Sequence, residues 1–425
     1  MTEEKKLTGY PSIDKPWLKY YTKEQINAEL PKCKIYDYIW QQNRQYLTNT
    51  ALHYYGRNIT YGQVFEGIEK AAKSFQSIGV KKGDIVAVIA VTLPETIYTF
   101  YGLNRIGAIA NMIDPRTSVE GIKNYIEEVN AKVIVLLDAV YEKVNAAVQD
   151  TTIERMVILS PADALPFVKK QLYRSTKRVR IQEDEKCKTW KTFIQEGINQ
   201  EIEDTPYQEN ECCVIVHTGG TTGNPKGVML TYRNFSANVD YSQRHVPAGD
   251  KMVSMLPMAH MYGLVIEFIY PLCNGTSIYW LGKAPTPAAL MKAFAEVKPY
   301  LLVTVPLVME KIYKSKIKPM LDKPAIKFAL KVPGLNNIIY KKVREGLLTA
   351  FGGNVQEFIM GGAALNPEVE RVFKKIKFPY LVGYGMTEAC PLLAYEHWTK
   401  YVAGSCGKAV DVAEVRIDSD DPQHV

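Results

Sequence analysis

His217-Thr218-Gly219-Gly220-Thr221-Thr222-Gly223-Asn224-Pro225-Lys226-Gly227 is the stretch from which the rest of the chain can be read. Four glycines, three threonines and one lysine fall within its eleven residues. An apolar, β-prone run at 212–216 precedes it and reads as a buried strand. Val228-Met229-Leu230 resumes a strand, and Thr231 is placed to cap a helix beginning near Tyr232. A glycine loop leaving a sheet suits a polyphosphate, because glycine tolerates the dihedrals that turn successive backbone N–H groups inward. Thr218, Thr221 and Thr222 add hydroxyl donors, and Lys226 adds a mobile positive charge. The loop is not a Walker A motif, since Asn224-Pro225 separates Gly223 from Lys226. A plain glycine-rich hairpin is the alternative, but a structural turn rarely needs three hydroxyls and a lysine as well.

A second stretch, Gly383-Tyr384-Gly385-Met386-Thr387-Glu388, follows the strand-like 380–382. Glycines on both sides of Tyr384 let the backbone bend so that the ring faces a flat ligand. Thr387 offers a hydroxyl to a phosphate, and Glu388 offers a hard oxygen to Mg²⁺. Gly361-Gly362-Ala363-Ala364 follows another strand, and its small side chains let a flat ring lie against the backbone. Leu256-Pro257-Met258-Ala259-His260-Met261-Tyr262-Gly263 sets one histidine on an apolar background. Such a residue is ordinarily part of a core. The other histidines form no metal-ligand spacing.

These motifs together resemble the adenylate-forming enzymes, the group of acyl-CoA synthetases, luciferases and peptide-synthetase adenylation domains. Their phosphate loop, T-[SG]-G-T-T-G-x-P-K-G, is matched at every position from Thr218 to Gly227. Their Y-G-x-T-E motif is matched by Tyr384, Gly385, Thr387 and Glu388. The resemblance implies ATP held by Thr218, Gly219, Gly220, Thr221, Thr222, Gly223 and Lys226. It further implies adenine between Gly361, Gly362 and Ala363 on one side and Gly383, Tyr384 and Gly385 on the other. Thr387 would contact the α-phosphate and Glu388 would bind magnesium. The residue before the Gly-Gly-Ala segment is often serine in that family and is Met360 here. The L-P-x-x-H match implies that His260 sits near the substrate carboxylate, as a catalytic residue with Lys226, Thr387 and Glu388. Val305-Pro306 followed by Glu310-Lys311-Ile312 is similar to a segment of long-chain acyl-CoA synthetases. The resemblance therefore implies a fatty acid, ATP and coenzyme A as substrates. An adenylation domain loading a carrier protein or an aryl or amino acid, and a non-catalytic nucleotide or acyl binder, are the other readings.

Composition agrees with a globular α/β protein. The 425 residues are 47% hydrophobic and 23% charged, enough for large cores. Apolar runs fall short of the ~18 residues of a membrane span. Residues 1–6 are polar, unlike a secretory signal, and seven cysteines without a C-x-x-C pair read as reduced thiols, so a cytoplasmic location is expected. The net charge of +7 is uneven: residues 311–344 hold ten basic residues and one acid, Asp322. Lys169, Lys170, Arg174, Lys177, Arg178 and Arg180 form another basic cluster. Such patches are solvated faces, or they meet anionic lipid or coenzyme A phosphates. Nucleic acid is not expected, since no nucleic-acid motif accompanies the charge. The oligomeric state is open, a homodimer being one arrangement.

Near-continuous apolar strands at 85–90, 109–113, 133–137 and 156–159 alternate with helical stretches, which predicts a parallel, doubly wound sheet. A hairpin is expected around Gly56-Arg57. Capping boxes are expected at Thr60/Gln63 and Thr117/Glu120, and Pro94 should open a helix. The alternation resumes at 251–305 and 358–382, giving a second sheet, while 410–417 reads as the start of a small β-barrel. The expected organisation is an arm at 1–34, α/β subdomains at 35–210 and 211–400, and a β subdomain from 401. The ribose-binding T-G-D motif and the catalytic lysine of the family's C-terminal cap have no counterpart here. The chain accordingly reads as the large N-terminal portion of a ligase, poorly active alone.

Overall fold

The computed structural model describes residues 8–176, 181–219, 225–281, 286–416 and 418. Its first strands form a hairpin, β1 (Thr50–Tyr54) and β2 (Arg57–Thr60), turned through Tyr55 and Gly56 at φ values of 50° and 92°. Two successive positive φ angles are what a tight hairpin requires, and glycine supplies one of them without strain. Thr60 then caps helix α1 (Tyr61–Ser77), with Gln63 returning a hydrogen bond in the expected capping box. Alternation follows through β3 (Ile85–Ile89), α2 (Pro94–Arg105), β4 (Ile109–Met112), α3 (Val119–Glu128), β5 (Val133–Leu137), β6 (Arg155–Leu159) and β7 (Cys187–Thr189). Pro94 does open α2. The cap of α3 is Ser118 instead of Thr117: Ser118 Oγ accepts from Gly121 N, while Thr117 closes a turn back to Asp114 O.

β8 (Cys212–His217) and β9 (Gly227–Thr231) flank the glycine loop, and Thr231 caps α4 (Tyr232–His245). One sheet has the order β7-β6-β5-β3-β4-β8-β9, parallel except for the final antiparallel pair. This sheet runs across residue 211, where the sequence placed a division. The apolar strand β8 is buried on both faces and completes the earlier sheet beside β4. The switch in strand order lies between β3 and β5, whose following helices diverge. Ligand crevices in such sheets lie at the carboxyl ends of the strands.

β10 (Lys251–Ser254) and β11 (Ser277–Trp280) join the N-terminal hairpin in a sheet of order β10-β11-β1-β2. β12 (Leu301–Thr304), β13 (Glu357–Met360) and β14 (Tyr380–Val382) make a parallel sheet of their own. A small antiparallel sheet follows: β15 (Tyr384–Gly385), β16 (Leu392–Tyr395) and β17 (Lys408–Ala409). One core cluster takes in the apolar faces of α1 and α2 with β3, β4, β8 and the helical stretch 261–273; another fills the space around β12, β13 and β14.

Of the strand expected at 410–417, the described residues 410–416 form none. After β17 the chain leaves the ladder, because side chains tie it down instead: Arg244 makes a two-pronged ion pair with the buried Asp411 at 2.7 and 3.1 Å, and Val410 is buried. The N-terminal arm packs here too. Trp17 and Tyr21 are buried, Tyr21 Oη donates to Ala409 O at 2.8 Å, and Lys15 pairs with Glu414.

Candidate active site

The glycine loop is closed at its base by two hydrogen bonds. Thr218 N donates to Lys226 O and Lys226 N donates to Thr218 Oγ1, both at 3.0 Å. Thr218 is half-buried, whereas Gly219 and Lys226 are exposed. Gly220, Thr221, Thr222 and Gly223 lie outside the described residues. Beneath the loop, His217 is buried, stacks on Tyr125 at 3.7 Å between ring centres, and donates from Nε2 to Asn111 Oδ1 at 2.8 Å. Burial pushes its imidazole down to about 4, so it is neutral at physiological pH and fixes the strand end without adding charge.

The Tyr384–Glu388 stretch is a tight turn between β15 and β16. Tyr384 is 51% exposed, its ring standing clear of the core. A Cβ at Gly385 would meet Pro391 O at 2.4 Å, so only glycine allows β15 to lie this close to the returning chain. Gly383 and Thr387 are half-buried, and Glu388 is exposed without an ion pair among the described residues. Asn238 of α4 fastens this turn: its Nδ2 donates to Ala389 O at 2.9 Å and its Oδ1 accepts from Leu392 N at 2.8 Å. Because α4 is the direct continuation of β9, the glycine-loop hairpin and the tyrosine turn are held by one helix.

The Gly361-Gly362-Ala363 segment leaves β13 beside β14, the strand that leads into the tyrosine turn. Gly361 is buried, while Gly362 and Ala363 are exposed. A Cβ at Gly361 would sit 3.1 Å from the Tyr262 ring, whose hydroxyl donates to Ile359 O at 3.1 Å. Glu357 at the start of β13 accepts from Tyr395 Oη at 2.7 Å and from Trp398 N at 2.8 Å, which ties this wall to β16. Met360 is buried in β13.

His260 is not a core residue. Its side chain is 44% exposed, and Nε2 donates to Asp114 Oδ2 at 3.1 Å. Arg116 grips the same carboxylate, with Nε 3.0 Å from Oδ1 and Nη2 2.6 Å from Oδ2. Burial raises the Asp114 carboxyl, but the hydrogen bonds from His260 and Arg116 outweigh it and hold the group well below the usual carboxylate range. Beside this triad opens an apolar cavity of about 420 Å³, lined by Tyr54, Leu93, Met255, Leu256, Trp280 and Leu281 among others.

This geometry is accompanied by a family match: residues 39–425 correspond to the AMP-binding enzyme family. The chain is an AMP-binding enzyme. It is similar to a long-chain-fatty-acid–CoA ligase of Bacillus subtilis (strain 168), 27% identical over 406 residues, covering 92% of this chain and 67% of that one. Long chain acyl-CoA synthetase 3 of Arabidopsis thaliana is 25% identical over 364 residues, 78% of this chain and 52% of that one. The chain thus spans between about half and two thirds of these relatives' lengths. A long-chain-fatty-acid–CoA ligase from Archaeoglobus fulgidus has the same fold, with a TM-score of 0.68 at 19% identity over 90% of this chain and 70% of that one.

In this AMP-binding enzyme, residues outside the sequence motifs hold the described motif segments in place. Asp114 and Arg116 stand at the carboxyl end of β4, the place where a charged pair after an apolar parallel strand is a usable signal. Glu267 is subtler. It lies in a π-helical turn, Val265–Ile269, inside the helical stretch 261–273. Its Oε2 accepts from Ser254 Oγ, Met255 N and Leu256 N at 3.0, 2.9 and 2.7 Å, fixing the start of the loop that carries His260. Burial pushes this carboxyl up to about 8, so it is protonated near neutrality, and unpartnered Oε1 is the oxygen left for the proton.

Proposed function

We propose that this AMP-binding enzyme activates a fatty acid carboxylate with ATP and passes the acyl group to coenzyme A. In the first step a carboxylate oxygen bonds to the α-phosphorus and the bond to pyrophosphate breaks. In the second the coenzyme A thiol bonds to the acyl carbon and AMP leaves. The observation that carries the reading is the joint anchoring of the closed loop and the Tyr384–Glu388 turn on α4. Such anchoring keeps phosphate-binding and adenine-stacking groups in fixed relation, which is how preorganised donors lower a barrier.

Thr218 and Lys226, with Gly219, Gly220, Thr221, Thr222 and Gly223, would bind the phosphates. Tyr384 would stack on adenine against Gly361, Gly362 and Ala363, with Gly383 and Gly385 giving the turn. Thr387 would donate to the α-phosphate. An exposed Glu388 carboxylate without an ion pair suits Mg²⁺, which would offset the repulsion between carboxylate and phosphate. His260, with Nε2 engaged by Asp114, would present its other ring nitrogen to the substrate carboxylate. The 420 Å³ cavity, with its largely apolar lining, suits the unbranched alkyl chain of the acid.

Titration with ATP, with and without Mg²⁺, tests the nucleotide site. Binding that tightens with Mg²⁺ in the unmodified chain, and does not in Glu388→Ala, is expected. Absence of ATP binding under both conditions would remove the reading.

A further inference from the structure

The strongly basic segment 311–344 ends in a helical hairpin, α5 (Pro324–Ala329) and α6 (Leu335–Ala350), joined by residues 330–334. α6 is firmly seated. Val343 and Leu347 are buried, and Ile339, Tyr340 and Leu348 pack on the core around β12 and β13. Its other face points outward: Leu335, Ile338 and Lys342 recur at i, i+3 and i+7, one stripe of a helix. Ile338 is 57% exposed, Leu335 47%, and Phe328 of α5 73%. Lysines surround them. Lys327 pairs with Asp322 and Lys341 with Glu345, whereas Lys323, Lys331 and Lys342 make no ion pair among the described residues.

A helical hairpin that holds three large apolar side chains in water, ringed by uncompensated lysines, has the make-up of an interfacial amphipathic element. Free phosphates or nucleic acid would engage the lysines and leave Phe328, Leu335 and Ile338 unused. An anionic bilayer engages both sets, since its surface is negative and its acyl boundary takes apolar groups. No helix among the described residues is long and apolar enough to cross a membrane, so attachment through this region is peripheral.

We propose that the α5–α6 hairpin docks this protein on anionic membrane surfaces, with Phe328, Leu335 and Ile338 entering the headgroup region and Lys323, Lys331 and Lys342 meeting lipid phosphates. The inference stands apart from the ligase reading. Sedimentation with large vesicles of phosphatidylcholine, alone or mixed with phosphatidylglycerol, tests it. Partitioning onto the mixed vesicles should be roughly tenfold greater or more, and it should weaken as added salt shortens the screening length. Phe328→Ser/Leu335→Asn/Ile338→Asn should lower partitioning by about tenfold or more at an unchanged circular dichroism spectrum. Lys323→Gln/Lys331→Gln/Lys342→Gln should remove the preference for phosphatidylglycerol. Equal binding to both vesicle types, no binding to either, or variants that bind like the unmodified chain would overturn the proposal. Loss of vesicle binding together with an apolar-variant-sensitive self-association in solution would overturn it as well, making the hairpin a protein contact.

Discussion

His260 Nε2 donates to Asp114 Oδ2 across 3.1 Å, joining residues 146 positions apart in the chain. The carboxylate is shared with Arg116 and lies at the mouth of the apolar cavity. Its proton affinity is lowered on folding, which fixes the sign of a pH effect. A depressed carboxyl stabilises the fold above its unfolded value, near ~4, and that stabilisation fades as pH falls further. Asp114→Asn should therefore cost about 1–3 kcal/mol at neutral pH, with the gap closing below pH ~4. Urea unfolding across that range reads it, and a gap indifferent to pH would contradict the account.

Glu267 carries the opposite sign. Burial pushes its carboxyl up to about 8, above the unfolded value near ~4.3. The stability it contributes is complete at low pH and is lost as pH rises through about 8. Glu267→Gln keeps an accepting oxygen for Ser254, Met255 and Leu256 without a proton to lose. Its stability relative to the unmodified chain should improve between pH 5 and pH 9, as followed by thermal melts on the order of a few degrees per kcal/mol. A constant difference over this interval would count against a buried, protonated Glu267.

Asn238→Ala removes both bonds that hold the tyrosine turn to α4. It leaves Leu392 N and Ala389 O without their partner, a loss of about 1–3 kcal/mol. ATP affinity should fall with it, while binding of lipid vesicles should not change.

Glycine substitutions separate shape from ligand contact. Gly385→Ala places a methyl against Pro391 O and should destabilise by about 1–3 kcal/mol as β15 is pushed from β16. At Gly219 a Cβ meets nothing within 4 Å among the described residues. Gly219→Ala should melt like the unmodified chain, and any effect should appear in ATP titration alone. A melting shift at Gly219 equal to that at Gly385 would refute this division.

The sequence made local features plain wherever the decisive residues are neighbours in the chain. Thr60 with Gln63, Pro94 at a helix start and the Gly56 hairpin are all short-range patterns. What holds them together was not legible, because it depends on pairings over long separations. Nothing near residue 52 indicates that β1 will pair with β11, yet Leu52 lies opposite Ile278. Asn238 looks like any polar position on a helix until β16 is laid beside it. The stretch 410–417 alternates like a strand, but the Arg244–Asp411 pair takes its described residues out of the ladder. His260 was recognisable as a motif residue. Its exposure was not, because an apolar background in sequence conceals the Asp114 and Arg116 side chains that draw it out.

The most direct test is calorimetric titration of this chain with a long-chain acyl-sulfamoyl-adenosine, a stable mimic of the acyl-adenylate, beside short-chain and aryl versions. The account predicts one site, preference for the long chain, and a loss on Tyr384→Ala of about 1–3 kcal/mol, the worth of stacking a base on an aromatic ring. Glu388→Ala should change little there, since the mimic lacks pyrophosphate. Preference for the aryl mimic would reassign the substrate. Binding unaffected by Tyr384→Ala, or no binding of any mimic, would contradict a nucleotide site built on Tyr384.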